Sequence, residues 1–249
     1  MKAAIIGNGT VGKALGKAMG ITPYGPGDEP ISADVVVICV PTETKEGVHD
    51  QSQVEQAISR VENAKIIVLR STVLPGTSDR LAKDLDIPLV FVPEYGFEAT
   101  MEEDLAHPRS LILGVGEGVT LELVDLVITT MPRSNSVKSM SRASAEFAKY
   151  FANIWGCSQV TLANSLYDWV IAQGYDDLVY RDAVLGALLH GNVPEWGWEI
   201  THQGTRGYGG KCLPKDIQAA ISQYSHELWR QFEIQNRELR KEVIDNDLT

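Results

Sequence analysis

The sequence is poor in cysteine and poor in positive charge, and it has no long apolar run. Its three cysteines among 249 residues, Cys39, Cys157 and Cys212, are odd in number and widely spaced. They exclude a disulfide-stapled scaffold and read as thiols in a reducing compartment. Lysine and arginine total 22 against 33 aspartates and glutamates, for a formal charge of -11. Nucleic acid and anionic membrane surfaces repel such a chain on average, so neither is an expected partner, and an anionic ligand has to be met by local donors. No stretch approaches the roughly 20 apolar residues of a membrane span. The N-terminal "MKAAIIGNGTVG" passes directly into a strand-and-turn pattern rather than a signal peptide, so a cytoplasmic protein is expected. No internal repeat, low-complexity tract or metal site is expected.

The 44% of hydrophobic residues suffice for one or two cores, and two modest domains are the better reading of this length. "MKAAIIGNGTVGKALGKAMG" reads as strand, glycine turn and helix, with Val11, Leu15, Ala18 and Met19 on one side. Residues 33–42, 64–72, 88–94 and 110–116 are further continuous apolar runs, separated by helical stretches such as "DQSQVEQAISRVEN". Continuous rather than alternating apolarity implies strands covered on both faces, hence an α/β fold with a mostly parallel, doubly wound sheet over residues 1–138. From about residue 139 the pattern turns helical, with one long helix at about 141–172, and residues 139–249 are expected to form an all-helical domain. All five tryptophans lie there, suggesting large aromatic packing surfaces and a subunit interface.

Gly7, Gly9 and Gly12 in "GNGTVG" follow the first strand and open a helix. Glycine permits the tight turn and the close backbone approach that a dinucleotide diphosphate needs at a helix N-terminus. Gly7, Asn8, Gly9, Thr10, Val11 and Gly12 are therefore candidate cofactor residues. The acidic residue that holds a ribose hydroxyl is hard to place, because the second strand shrinks to "ITPYGPGDEP". Asp28 is the nearby candidate, with a solvated turn residue the equal alternative. NAD is preferred to NADP.

Lys149 and Asn153 in "AEFAKYFANIWG" are four residues apart and share one helix face, with Asn164 near the same stripe. A solvated polar stripe is the bland reading. Apolar and small neighbours, however, would desolvate an ammonium, which then needs a partner or a task, such as stabilising charge on a substrate oxygen. Cys39 and Cys157 lie in apolar surroundings and read as buried small hydrophobes. Cys212 sits after a glycine bend with Lys211 and Lys215 on either side, a setting that favours a thiolate. Taken alone, this context divides evenly between a nucleophile and an idle loop cysteine.

The segment "GYGGKCLPKD", residues 207–216, closely resembles the Gly-Phe/Tyr-Gly-Gly-x-Cys-Phe/Leu-Pro-Lys-Asp motif of the UDP-glucose/GDP-mannose 6-dehydrogenase family. "GNGTVG", "ADVVVICVPT", "GVHDQSQVEQA", "STVLPGT", "PEYGFEATMEEDLAHP" and "EFAKYFAN" match in the family's order, over nearly the whole chain. The resemblance implies a Rossmann domain followed by a helical domain like that of 6-phosphogluconate dehydrogenase. It implies oxidation of a sugar C6 alcohol to a carboxylate with reduction of two NAD. A planar aldehyde gives up hydride poorly, so a cysteine adds to it, and the thiohemiacetal is oxidised to a thioester that water hydrolyses.

By the same resemblance Cys212 is the nucleophile, and Lys149 and Asn153 stabilise the oxyanion. Asp216 with Thr72 holds water and relays the first proton, while Glu98 activates water on the thioester. Glu94, Tyr208 and Gly209 join Glu98, Lys149 and Asn153 around the substrate. Val40, Pro41, Thr42, Thr72 and Lys215 join the glycine loop around the cofactor.

The match departs from the family in three places. The sequence stops at "LWRQFEIQNRELRKEVIDNDLT", before the family's third domain, which grips the nucleotide; a shortened form is expected, with a separate chain as one source of that domain. The segment before the cysteine lacks the Asp-x-Arg pattern that lends an arginine to a neighbouring subunit, and Arg206 is out of place for it. Ser165 stands where a glutamate is usual, and Gly96-Phe97 replaces a pair that includes arginine. A homodimer through the long helix is expected. Two alternatives stand beside this reading: a two-electron hydroxyacid dehydrogenase of the 6-phosphogluconate/hydroxyisobutyrate type, which leaves the cysteine idle, and a non-catalytic dinucleotide-binding module.

Overall fold

The computed structural model describes residues 2–27, 29–45 and 47–241. It divides into two compact units, Met1–Lys149 and Tyr150–Thr249. In chain order the first contains β1 (Ala3–Ile6), α1 (Thr10–Met19), β2 (Ile31–Ser32), β3 (Val35–Ile38), β4 (Thr44–Lys45), β5 (Val48–His49), α2 (Ser52–Ser59) and β6 (Val61–Asn63). It continues with β7 (Ile66–Leu69), α3 (Thr77–Lys83), β8 (Leu89–Phe91), α4 (Met101–Ala106), β9 (Leu111–Val115), α5 (Leu121–Thr130), β10 (Val137–Ser141) and the start of α6 (Arg142–Ala172).

Six strands form one sheet in the order β1-β3-β7-β8-β9-β10. The central strands, VVVI and IIVL, are buried at every position, which is what their unbroken apolar runs require. Val35, Val37, Ile66 and Val68 pack on one side with Leu15 of α1, Leu105 of α4 and Val127 of α5. Val36, Ile38, Ile67 and Leu69 pack on the other with Val54 of α2, Leu81 of α3 and Ala145 of α6. The result is a three-layer, Rossmann-like unit.

The weak second strand survives as a single parallel bridge, Ile6 with Tyr24. Because Tyr24 lies on one side of β1 and β3 on the other, the chain reverses its winding at the carboxyl end of β1, the switch point where such sheets bind ligands.

The sheet is mostly parallel, as expected, with two features that the sequence pattern did not reveal. β9 runs antiparallel to β8, with Phe91 opposite Gly114. The connection through the six-residue α4 returns to the edge it left, so no crossover is made. β10, reading VKSMS, is a mostly exposed edge strand that pairs parallel with β9. Its polar pattern concealed it at the start of the helical stretch.

α6 matches the expected helix closely, but the units divide inside it. Arg142 is committed to the sheet side, with Nε donating to the Leu89 carbonyl at 2.9 Å and Nη1 to Asp79 at 3.1 Å. A Cβ on Gly114 would lie 2.9 Å from the Ala145 Cβ, so β9 lets this first stretch of helix approach closely.

The second unit holds the rest of α6 with α7 (Asp177–Leu189), β11 (Thr201–His202), β12 (Thr205–Arg206), α8 (Leu213–Gln223) and α9 (Glu227–Leu239). Its core joins Cys157, Val160, Tyr208 and Ile217 to Leu213, Trp229 and Phe232. Trp155 and Trp169 are exposed. Among the described residues no helix is long and apolar enough to cross a membrane.

Candidate active site

The three loop glycines are required for different reasons. Gly7 has φ +112, and a Cβ there would lie 2.3 Å from the Cys39 carbonyl oxygen; one on Gly12 would lie 1.7 Å from the Gly7 carbonyl oxygen. A Cβ on Gly9 would meet nothing within 4 Å. The protein's own packing explains Gly7 and Gly12, whereas Gly9 keeps open space beside α1. Gly9 is also the N-cap of α1 and supplies no side-chain cap, leaving the positive end of the helix to an external acceptor.

An open groove of about 690 Å³ lies there, lined by Gly9, Thr10 and Lys13 on one side and by Glu98, Thr100 and Glu102 on the other. Asn8 and Thr10 are exposed, and Val11 packs against the core. These features fit a dinucleotide diphosphate. Asp28 lies outside the described residues.

The ends of β3 and β7 are latched together beside this loop. Ser71 Oγ accepts from the Val40 N–H at 3.0 Å and donates to the Val40 carbonyl at 2.8 Å, and Thr42 Oγ1 donates to the Thr72 carbonyl at 2.6 Å. Val40, Pro41, Thr42 and Thr72, all cofactor candidates, therefore form one continuous edge.

Lys149 has its partner. Its Nζ donates to Glu94 Oε1 at 3.1 Å, with both side chains about 5–6% exposed. Glu94 Oε2 accepts from the Gly96 N–H at 2.9 Å, and Nζ lies 5.4 Å from the centre of the Tyr95 ring. Burial, then the Glu94 charge, pushes the Tyr95 phenol up. Removing Glu94 alone would leave a buried ammonium unpaired, a loss of about 3–5 kcal/mol.

Glu146, one turn before Lys149, was not anticipated. It is fully buried and accepts from the Gly76 N–H at 2.6 Å, the Ser78 N–H at 2.7 Å and the Ser78 hydroxyl at 2.6 Å. One carboxylate thus ties the "STVLPGT" loop to α6. An acidic residue among the small and apolar neighbours of "ASAEFAKYF" was the available signal.

In the second unit Cys212 is the N-cap of α8 and is half-buried. Gly207 and Gly210, at φ +78 and +73, make the bend that leads to it. Asp216, one turn into α8, is 1% exposed; it accepts from Asn153 Nδ2 at 2.5 Å and pairs with Lys215. Asn153 of α6 is thus brought to Lys215 and Asp216 on the first turn of α8, the helix that Cys212 caps. Tyr208 projects its ring into the core, and its backbone is held at both N–H and C=O by Asn236 of α9, a residue with no signal in the sequence. A Cβ on Gly209 would lie 2.7 Å from Arg240 Nη1.

Arg206 is buried and engaged inside this unit. It donates to Asn164 Oδ1 at 3.1 Å, pairs with Asp168 at 2.6 Å and lies over the Tyr167 ring. The other two cysteines are held as neutral thiols: burial pushes Cys39 up to about 12 and Cys157 up strongly.

Comparison with known proteins fits this arrangement. The NAD binding domain of the UDP-glucose/GDP-mannose dehydrogenase family matches residues 27–131, and the central domain of the same family matches residues 143–238. The chain is 29% identical over 234 residues to a UDP-glucose 6-dehydrogenase of Pseudomonas aeruginosa, covering 85% of this chain and 50% of the relative. It is 27% identical over 232 residues to a GDP-mannose 6-dehydrogenase of the same organism, covering 84% and 50%.

Among solved structures, a UDP-D-ManNAc dehydrogenase of Pyrococcus horikoshii superposes with a TM-score of 0.77 at 19% identity, over 96% of this chain and 69% of that one; this likeness is one of fold. The chain spans about half the length of the curated relatives it matches. With both of the family's domain patterns matched in order across the two units, this chain belongs to the UDP-glucose/GDP-mannose dehydrogenase family.

Proposed function

We propose that the chain oxidises the C6 alcohol of a nucleotide sugar to a carboxylate with NAD, through two covalent stages on Cys212. The observation that carries this reading is the folding of "GYGGKCLPKD". Its cysteine stands at the N-terminus of the 11-residue α8, where the partial positive charge of the helix favours negative charge on sulfur. The other two cysteines are buried and chemically quiet.

Bound at the glycine loop, NAD supplies the hydride acceptor. The open Gly9 position and the first turn of α1 would hold its diphosphate, and the edge formed by Val40, Pro41, Thr42 and Thr72 would border it. Thr72 with Asp216 takes the alcohol proton as the first hydride leaves. Cys212 then adds its sulfur to the aldehyde carbon while its proton is lost to water, and Lys149 and Asn153 stabilise the charge on oxygen. Loss of the second hydride, for which a second NAD would be the acceptor, turns the thiohemiacetal on Cys212 into a thioester. Glu98 activates the water that releases the carboxylate and restores the thiol. Glu94 holds Lys149 in place. The cytosol, a reducing compartment, keeps the nucleophile a thiol.

Measuring NADH formed per substrate consumed with UDP-glucose, GDP-mannose and UDP-N-acetylmannosamine tests the reading. The native chain is expected to give two NADH per sugar with one of them, and Cys212→Ser to lose the second stage and the trappable thioester. A Ser variant with unchanged stoichiometry refutes it and favours the two-electron hydroxyacid chemistry. The exposed series Phe151, Trp155, Leu162 and Trp169 on α6 has the seven-residue repeat of a helix–helix seam and supports a homodimer; a monomeric mass in solution at working concentration would count against it.

A further inference from the structure

At the carboxyl edge of the first unit's sheet stands a buried cation that the reaction scheme does not use. Arg70 continues β7 in register, its N–H bonding to the Ile38 carbonyl at 2.9 Å. Side chains alternate along a strand. Ile66 and Val68 face the α1 side of the sheet, as do Val37 and Cys39 along β3 and Val90 and Val92 along β8. Arg70 therefore belongs to that same side, beside Cys39. The Cys39 carbonyl is also the group against which Gly7 of the dinucleotide loop is pressed.

Arg70 is only 6% exposed, and its Nε is buried without a hydrogen-bond partner among the described residues. Cys39 and Glu94 are the acidic groups near enough to act on it. Cys39 offers no negative charge, since burial keeps it a thiol. Glu94 already uses one oxygen for Lys149 and the other for Gly96. One carboxylate thus faces two buried cations, leaving one positive charge unbalanced in a chain whose net charge is -11. Burying a guanidinium with an unused donor costs several kcal/mol, so a purely structural Arg70 works against the fold.

We propose that Arg70 is a ligand-binding residue whose guanidinium takes a pair of anionic oxygens. Its planar fork of donors matches a phosphate or a carboxylate in two-point contact. Two sources supply that chemistry: the diphosphate of the dinucleotide, and the carboxylate of the oxidised sugar. The inference rests on the function proposed above, because both ligands come from that reaction.

The test compares the native chain with Arg70→Met and Arg70→Lys in two binding arms and one stability measurement. The first arm is NADH affinity by fluorescence; the second is the affinity of the NADH-loaded protein for UDP-glucuronate and GDP-mannuronate. A charged hydrogen-bonded contact contributes about 1.5–3 kcal/mol, so the Met variant should lose roughly tenfold to hundredfold in affinity. Lys, which keeps the charge but not the fork, should lose less. Loss in the first arm assigns the diphosphate; loss confined to the second assigns the carboxylate.

The melting temperature of the ligand-free Met variant should hold or rise, because an unpaired buried charge is replaced by an apolar chain of similar reach. Unchanged affinity in both arms overturns the proposal, and so does a fall in ligand-free melting temperature, which would make Arg70 a structural counter-charge. A native chain that binds neither NADH nor a uronate removes this inference and the proposed function together. Native binding that the variants leave unaltered removes only the role of Arg70.

Discussion

Replacing Asn236 by alanine should unlock the loop that carries Cys212. Asn236 is 5% exposed; its Oδ1 accepts from the Tyr208 N–H at 2.7 Å and its Nδ2 donates to the Tyr208 carbonyl at 3.0 Å. One side chain thus does for Tyr208 what a neighbouring strand would do. A Cβ on Gly207 would lie 2.4 Å from the same Oδ1, so helix and loop approach closely only because glycine is there. Truncation leaves two buried backbone groups unpaired at about 1–3 kcal/mol each, or about 2–6 kcal/mol together. That is a large part of the roughly 5–15 kcal/mol by which a domain is stable.

Urea unfolding followed by tryptophan fluorescence reads the effect where it arises, since all five tryptophans fall within the second unit. Alkylation of Cys212 by iodoacetamide, quantified by mass spectrometry, should quicken as the half-buried sulfur gains exposure. Asn236→Asp keeps the acceptor but sets a carboxylate oxygen against the Tyr208 carbonyl. Burial raises the folded pKa of such a carboxyl above its unfolded value of about 3.9. Its deficit should therefore shrink on acidification, as the protonated group regains a donor. An alanine variant within 1 kcal/mol of the native protein, with unchanged alkylation, would refute the reasoning.

Gly9→Ala should melt like the native chain yet lose NADH affinity, because its Cβ meets nothing within 4 Å of the protein and enters the groove. Gly12→Ala, with a Cβ 1.7 Å from the Gly7 carbonyl oxygen, should fail to hold the first unit together by circular dichroism; equal behaviour of the two variants would contradict the division between packing and ligand roles. Burial raises the pKa of Glu146 above its usual 4.5, so its contribution to stability is complete below that value and is lost as pH rises through the folded pKa. Urea midpoints across pH 4 to 8 should show the native chain losing stability relative to Glu146→Gln on going up in pH, and parallel profiles would argue against it.

Local pattern made much of the fold legible. Residues 33–42 and 64–72 read as doubly covered strands because every side chain in their centres is apolar, and β3 and β7 are buried at every position. The reach of α6 was readable from a long stretch without proline, in which Gly156 is the one glycine. β10 was not, because an edge strand needs no apolar alternation when half of it faces solvent. The direction of β9 was hidden as well, since it depends on where the connection through α4 ends rather than on the strand's own residues.

At the candidate site the glycine loop and "GYGGKCLPKD" were visible as strings, and the lysine on α6 as a spacing. Their partners were not: Glu94 meets Lys149 across 55 positions and Glu146 meets Ser78 across 68, distances at which sequence carries no contact information.

The order of residues by itself determined the strand, turn and helix that open the chain, the long helix, the family and the single cysteine placed at a glycine bend. These follow from backbone sterics and from short-range periodicity, which act within a few residues. Only the tertiary structure decided which carboxylate neutralises which cation, that Asn236 takes the place of a strand beside Tyr208, and that Arg70 lies buried with its Nε unmatched among the described residues. Burial creates those demands, because a polar group needs a protein partner only once water has been removed, and folding alone decides which distant residue stands close enough to answer.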